Sequence, residues 1–158
     1  MSIEKVGVVG CGLMGAGIAQ VCAQAGFQTA VREVSPELVE KGLKGIEKNL
    51  ARLVEKGAIT EAAKAEIRGR INGVTPVEDL KDCDLVIEAI IEQLPLKREL
   101  FSTLDNLCPA HTIFASNTSS LTITEIAAAT KRPQRFVGLH FFNPVPVMKL
   151  VEVVKTIA

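Results

Sequence analysis

The sequence predicts an α/β domain built on a doubly wound, mostly parallel sheet. Two observations carry this. Short β-branched apolar runs alternate with helix-periodic segments along the whole chain, and a glycine-rich turn joins the first apolar run to the first helical segment. Strand followed by helix, repeated, buries a parallel sheet between helical layers.

Each element has its own signal. Residues 3–9 form an apolar strand and residues 10–17 a glycine-rich turn; Ile18, Ala19, Val21, Cys22 and Ala25 give helical spacing over 13–25, stopped by Gly26. Residues 28–33 read as a second strand. Ser35 followed by Pro36 is an N-cap with proline at the first helical position. Val39, Leu43, Ile46, Leu50 and Leu53 then recur at helical steps until Gly57, and Thr60-Glu61 opens a second helix to about residue 69. The result is a helical pair inserted after the second strand. Further on, 71–74 and 84–89 read as strands, 95–107 as a helix and 112–115 as a strand leading into the polar run Ser116–Ser120. Residues 122–129 are helical, and 136–140 and 147–154 are strands.

The whole chain suits one domain, residues 1–158. It has 18 basic and 18 acidic residues, so bulk charge gives no reason to expect a nucleic-acid or membrane partner. Its four cysteines form no C-x-x-C pair, so no metal is expected. No leader-like start and no apolar run of about 18 residues is present, which leads us to expect a soluble, reduced, cytoplasmic protein.

Gly10-Cys11-Gly12-Leu13-Met14-Gly15 matches G-x-G-x-x-G between a strand and a helix, the context that gives the pattern its meaning. The first glycine permits the turn, the second lets backbone approach a pyrophosphate, and the third lets helix and strand pack closely. Gly10, Gly12, Leu13, Met14 and Gly15 are therefore candidate cofactor contacts, with phosphate at the helix N-terminus. Glu33, at the end of the second strand, suits a ribose with free hydroxyls and so favours NAD over NADP, although Arg32 beside it is the residue type that accepts a 2′-phosphate.

Pro146 stands midway between His140 and Glu152. If the two flanking strands pair antiparallel around it, both side chains share one face. A carboxylate against an imidazole N–H leaves the other ring nitrogen free to exchange a proton near neutral pH, as alcohol oxidation requires. Spacing alone equally allows a core histidine satisfied by its neighbour strand. The run Ser116–Ser120 leaves a strand at the carboxyl edge of the sheet, where such sheets bind ligands, and offers donors for a substrate oxygen or caps for the next helix.

GCGLMGAGIAQ (10–20), VIEAIIE (86–92), ASNTSSL (115–121) and GLHFFNPVPVMKLVEVV (138–154) together resemble the NAD-binding, Rossmann-type domain of the L-3-hydroxyacyl-CoA dehydrogenases, with the short-chain 3-hydroxybutyryl type the nearest. The resemblance implies reversible, NAD-dependent oxidation of a 3-hydroxyacyl-CoA. It implies His140 as base, Glu152 as its partner and Ser119 as the residue that holds the substrate oxygen beside the nicotinamide. It implies Asn143, Glu92 and Lys97 as further cofactor contacts, and Lys56 as a coenzyme A contact. The family has a serine where this chain has Asn49. Family members continue into a helical domain that completes the acyl pocket and forms a homodimer. The chain is accordingly expected to be the NAD-binding part alone, with that C-terminal domain absent. Two further readings stay open: a nucleotide-binding module without turnover, and a dehydrogenase of free hydroxy acids.

Overall fold

The structure, a computed structural model, describes residues 2–157. β1 (Lys5–Val9) leads through the glycine turn into α1 (Leu13–Gln24) and β2 (Gln28–Arg32). The helical pair follows as α2 (Pro36–Glu55) and α3 (Glu61–Gly69), before β3 (Ile71–Val74). The chain then forms β4 (Leu85–Glu88), α4 (Leu94–Leu107), β5 (Ile113–Ser116), α5 (Ile123–Ala127), β6 (Phe136–Phe141) and β7 (Val151–Lys155). Two single 3₁₀ turns, Val77–Leu80 and Pro133–Arg135, lie in the connections before β4 and β6.

The strands form one sheet in the order β3-β2-β1-β4-β5-β6-β7, and only the β6–β7 pair is antiparallel. The expected doubly wound sheet is therefore present, with the helical pair after the second strand. α2 starts where Ser35 accepts a hydrogen bond from the Leu38 amide, and α3 where Thr60 accepts from Ala63. α2 turns Val39, Gly42, Ile46 and Leu50 inward, a stripe at steps of three and four.

The core has two layers. Val6, Val8, Ile18, Val31, Ile46, Leu50 and Ile87 pack beneath α1–α3 on one face of the sheet. Leu80, Val86, Phe101, Leu104, Phe114, Ile126 and Phe136 pack beneath α4 and α5 on the other. Phe101 sits with its ring centroid 4.6 Å from Phe136 and 5.6 Å from Phe114, the offset contacts that aromatic quadrupoles favour.

One expected element is shorter than its composition suggests. Residues 147–150 are not strand; pairing begins at Val151. Pro144 and Pro146 donate no N–H, and the amides of Val147 and Met148 both turn back to the Pro144 carbonyl, so a compact turn takes up those residues.

Candidate functional site

The chain leaves β1 and β4 in opposite directions across the sheet, so their carboxyl ends part and open a crevice. The glycine turn lies at its mouth. Gly10 has φ +95°, a conformation side chains disfavour. A Cβ at Gly15 would stand 1.8 Å from the Gly10 carbonyl oxygen, so only glycine lets α1 approach the turn. α1 begins with no side-chain cap at Gly12 and no acid in its first turn, which leaves the amides of Leu13 and Met14 without side-chain partners. The Cys11 thiol is pushed up to about 11 by burial and, secondarily, by the Glu33 charge. It is thus a neutral packing group at physiological pH.

Glu33 closes the crevice rim. Its Oε1 accepts from the Cys11 amide at 2.8 Å and its Oε2 from the Val34 amide at 3.0 Å. Arg32 is drawn elsewhere, its Nε donating to the Thr75 carbonyl at 2.9 Å.

At the other end of the crevice, β6 and β7 pair with His140 directly opposite Glu152. His140 Nδ1 lies 2.9 Å from Glu152 Oε2. A carboxylate only accepts, so Nδ1 carries a proton, and Nε2 is the ring nitrogen without a protein partner among the described residues. The Phe142 ring, with centroids 4.6 Å apart, packs against the imidazole.

The polar run beside His140 is almost fully spoken for. Ser116 Oγ donates to Glu88 at 2.6 Å, the Thr118 hydroxyl donates to Glu92, and Ser120 Oγ lies 3.3 Å from Glu92. Asn117 Oδ1 accepts from the Phe141 amide at 2.9 Å, which ties the run to the strand that carries His140. Ser119 is the one member whose side chain has no protein partner among the described residues. It is exposed at the rim of a cavity of about 380 Å³ lined also by Met14, Glu92, Lys97, His140 and Asn143.

Sequence reasoning missed Glu88. It is wholly buried at the end of β4, where its Oε1 accepts from Lys97 Nζ at 2.5 Å and from the Ile90 amide at 2.7 Å. Lys97 is itself 1% exposed and also lies 3.2 Å from Glu92. A glutamate inside an apolar strand was the available signal, because an acid there demands a partner.

A second cleft of about 660 Å³ runs between the α1 start, α2 and the loop 143–146. Glu33, Lys41, Lys48, Asn49, Arg52 and Asn143 line it. Lys44 does not; it pairs with Glu40 at 2.6 Å on the outer face of α2. Lys56 caps the end of α2 and is not among the residues lining this cleft.

Residues 5–158 match the family model described as 3-hydroxyacyl-CoA dehydrogenase, NAD binding domain. The chain belongs to the 3-hydroxyacyl-CoA dehydrogenase family. It is 54% identical over its whole length to a probable 3-hydroxybutyryl-CoA dehydrogenase of Bacillus subtilis, covering 55% of that protein. It is 50% identical, over 98% of its length, to the mitochondrial hydroxyacyl-coenzyme A dehydrogenase of Rattus norvegicus, covering 51% of it. A crystal structure of (S)-3-hydroxybutyryl-CoA dehydrogenase from Ralstonia eutropha superposes with a TM-score of 0.96 at 47% identity, over 99% of this chain and 55% of that one. The chain thus spans about half the length of the relatives it matches.

The residues of this 3-hydroxyacyl-CoA dehydrogenase domain fit NAD. A Cβ at Gly12 would meet no protein atom within 4 Å, so the bare backbone there faces open space that a pyrophosphate would fill. The uncapped α1 amides point the same way. Among the described residues no metal-binding cluster is found, and no helix is long and apolar enough to cross a membrane.

Proposed function

We propose that this domain carries the proton-transfer half of a reversible, NAD-dependent oxidation of (S)-3-hydroxyacyl-CoA to 3-oxoacyl-CoA, on short acyl chains. The observation that carries this reading is the His140–Glu152 pair, 2.9 Å apart, whose imidazole borders the same cavity as the unengaged Ser119 side chain.

Gly10, Gly12, Leu13, Met14 and Gly15 hold the pyrophosphate, and Glu33 takes the adenosine ribose hydroxyls. Asn143, Glu92 and Lys97 border the space for the nicotinamide end. NAD, when bound there, accepts the hydride. Ser119 donates to the substrate oxygen and fixes its distance from His140. His140 Nε2 removes the hydroxyl proton as the carbon–hydrogen bond breaks. Glu152 keeps Nδ1 protonated and stabilises the imidazolium that results. Water is held back on one side by Phe142, packed on the imidazole.

The acyl-CoA assignment draws on the α2 side of the cleft that also takes the adenosine end of the cofactor. Lys41, Lys48 and Arg52 face a single carboxylate, Glu33, across it, a balance that suits a phosphate-bearing ligand. Asn49 supplies a neutral donor there. Lys56, at the end of α2, is proposed as a further coenzyme A contact on the resemblance alone. The 3-hydroxybutyryl names of the bacterial relatives favour a short acyl group.

Acetoacetyl-CoA reduction by NADH, compared with reduction of free acetoacetate, tests the reading. His140→Ala is expected to slow hydride transfer by about 10²–10⁴. An unchanged rate removes His140 from the chemistry. Faster turnover of the free acid removes the coenzyme A assignment, and NADH binding without any reduction selects a nucleotide-binding module.

A further inference from the structure

Beneath the cavity lies a charge cluster that does not balance. Both oxygens of Glu88 are acceptors: Oε1 for Lys97 Nζ and the Ile90 amide, Oε2 for Ser116 Oγ. An ammonium, an amide and a hydroxyl thus converge on it, the donor set that matches a carboxylate. Burial raises the Glu92 pKa, but hydrogen bonds from Thr118 and Lys97 and the Lys97 charge outweigh it and hold the carboxyl below its usual range. Two carboxylates therefore share one ammonium, and no second cation pairs with either among the described residues. The net charge is one negative.

The excess sits on the cavity side. Glu88 is 0% exposed and Lys97 1%, whereas the Glu92 side chain is 39% exposed and borders the cavity together with Ser119, His140 and Asn143. A carboxylate left in excess in a partly buried cluster is costly unless something positive meets it. Glu92 is also fixed: the Thr118 and Ser120 hydroxyls and Lys97 hold its two oxygens. It cannot swing out to water without breaking those bonds.

We infer that the Glu88–Lys97–Glu92 cluster is a fixed counter-charge for the oxidised nicotinamide ring and sets the domain's preference between NAD⁺ and NADH. The inference rests on the reading of this cavity as the nicotinamide site. The two redox forms share every phosphate, ribose and adenine contact and differ by one positive charge on the ring. A fixed negative group beside the ring therefore discriminates between them, while the glycine turn and Glu33 do not. Stabilising the oxidised form makes bound NADH the stronger hydride donor. Glu152 plays the matching part across the site, since the positive charge that leaves the ring on reduction reappears on the His140 imidazole.

Titrating this chain with NAD⁺ and with NADH, for the parent and for Glu92→Gln, reads the effect without turnover. Glu92→Gln is expected to weaken NAD⁺ at least tenfold more than NADH, because one charge within about 12 Å at an effective dielectric of about 20 is worth a factor of ten or more. Glu92→Asp keeps the charge and is expected to keep the parent's affinity ratio. Glu88→Gln subtracts the same charge from deeper in the cluster and is expected to move the ratio in the same direction by less, which provides an independent reading if Glu92→Gln does not fold. Equal losses for the two redox forms, or a ratio that moves as much in Glu92→Asp as in Glu92→Gln, would overturn the counter-charge role and leave the cofactor site standing. A parent chain that binds neither form would overturn the cofactor site itself.

Discussion

Glu33 shows how one side chain does two jobs. It ties the Cys11 amide of the glycine turn and the Val34 amide to the end of β2, and its charge lines the cleft proposed for a ribose. Glu33→Gln keeps the shape but loses the charge and one of the two acceptors. NADH affinity is expected to fall by about tenfold or more, the value of a hydrogen bond to a charged group. Discrimination against NADPH is expected to shrink with it. Fluorescence titration with both cofactors measures this, and a parent chain preferring NADPH would contradict the role. Much at this scale was legible from sequence. Glu33, the glycines and His140 opposite Glu152 follow from spacing, because strand pairing around Pro146 fixes which residues meet. Glu88, and the use of Ser116, Thr118 and Ser120 as anchors for acids, were not. Those contacts join residues 26 to 28 positions apart, and no local pattern records them.

Elements were read well where a single period governs them, as in α2, whose buried stripe is the one its apolar spacing implies. They were misread where prolines and backbone turns override composition, as at residues 147–150. The end of α4 carries no local pattern that reveals its anchor. Arg132 donates to the Asp105 side chain at 2.6 Å and, through Nη2, to the carbonyls of Asp105 and Cys108 at 2.8 and 3.1 Å. It also donates to the Pro109 carbonyl and lies over the Phe114 ring. One guanidinium thus satisfies the carbonyls that a helix end leaves open and pairs a nearly buried acid. Arg132→Ala is expected to destabilise the fold by up to about 3 kcal/mol, because it leaves Asp105 with the Lys131 amide as its one remaining partner. Urea unfolding should show a lower midpoint at unchanged slope. A midpoint within experimental scatter of the parent would show that the clamp contributes nothing.

At the scale of the whole molecule, the doubly wound sheet brings three separate stretches to one rim: the glycine turn after β1, the polar run after β5 and the β6–β7 hairpin. Asn117 couples the second to the third, so the serine and histidine it joins are set by one bond between elements distant in sequence. The alternation of strands and helices made this architecture legible; the strand order, which decides where the crevice opens, comes from long-range pairing. On the hairpin's loop, on β7 and past it, Val147, Leu150, Val153 and Ile157 are all more than half exposed. The central claim is that the dinucleotide crevice and the imidazole–carboxylate pair serve a single reacting point. A crystal structure of the domain with NADH and acetoacetyl-CoA measures this directly. The account predicts the pyridine ring in the cavity lined by Ser119, His140 and Asn143, with the substrate's keto oxygen within hydrogen-bond reach of Ser119 and His140 Nε2. A ring seated away from that cavity, or a keto oxygen that neither side chain reaches, would contradict it.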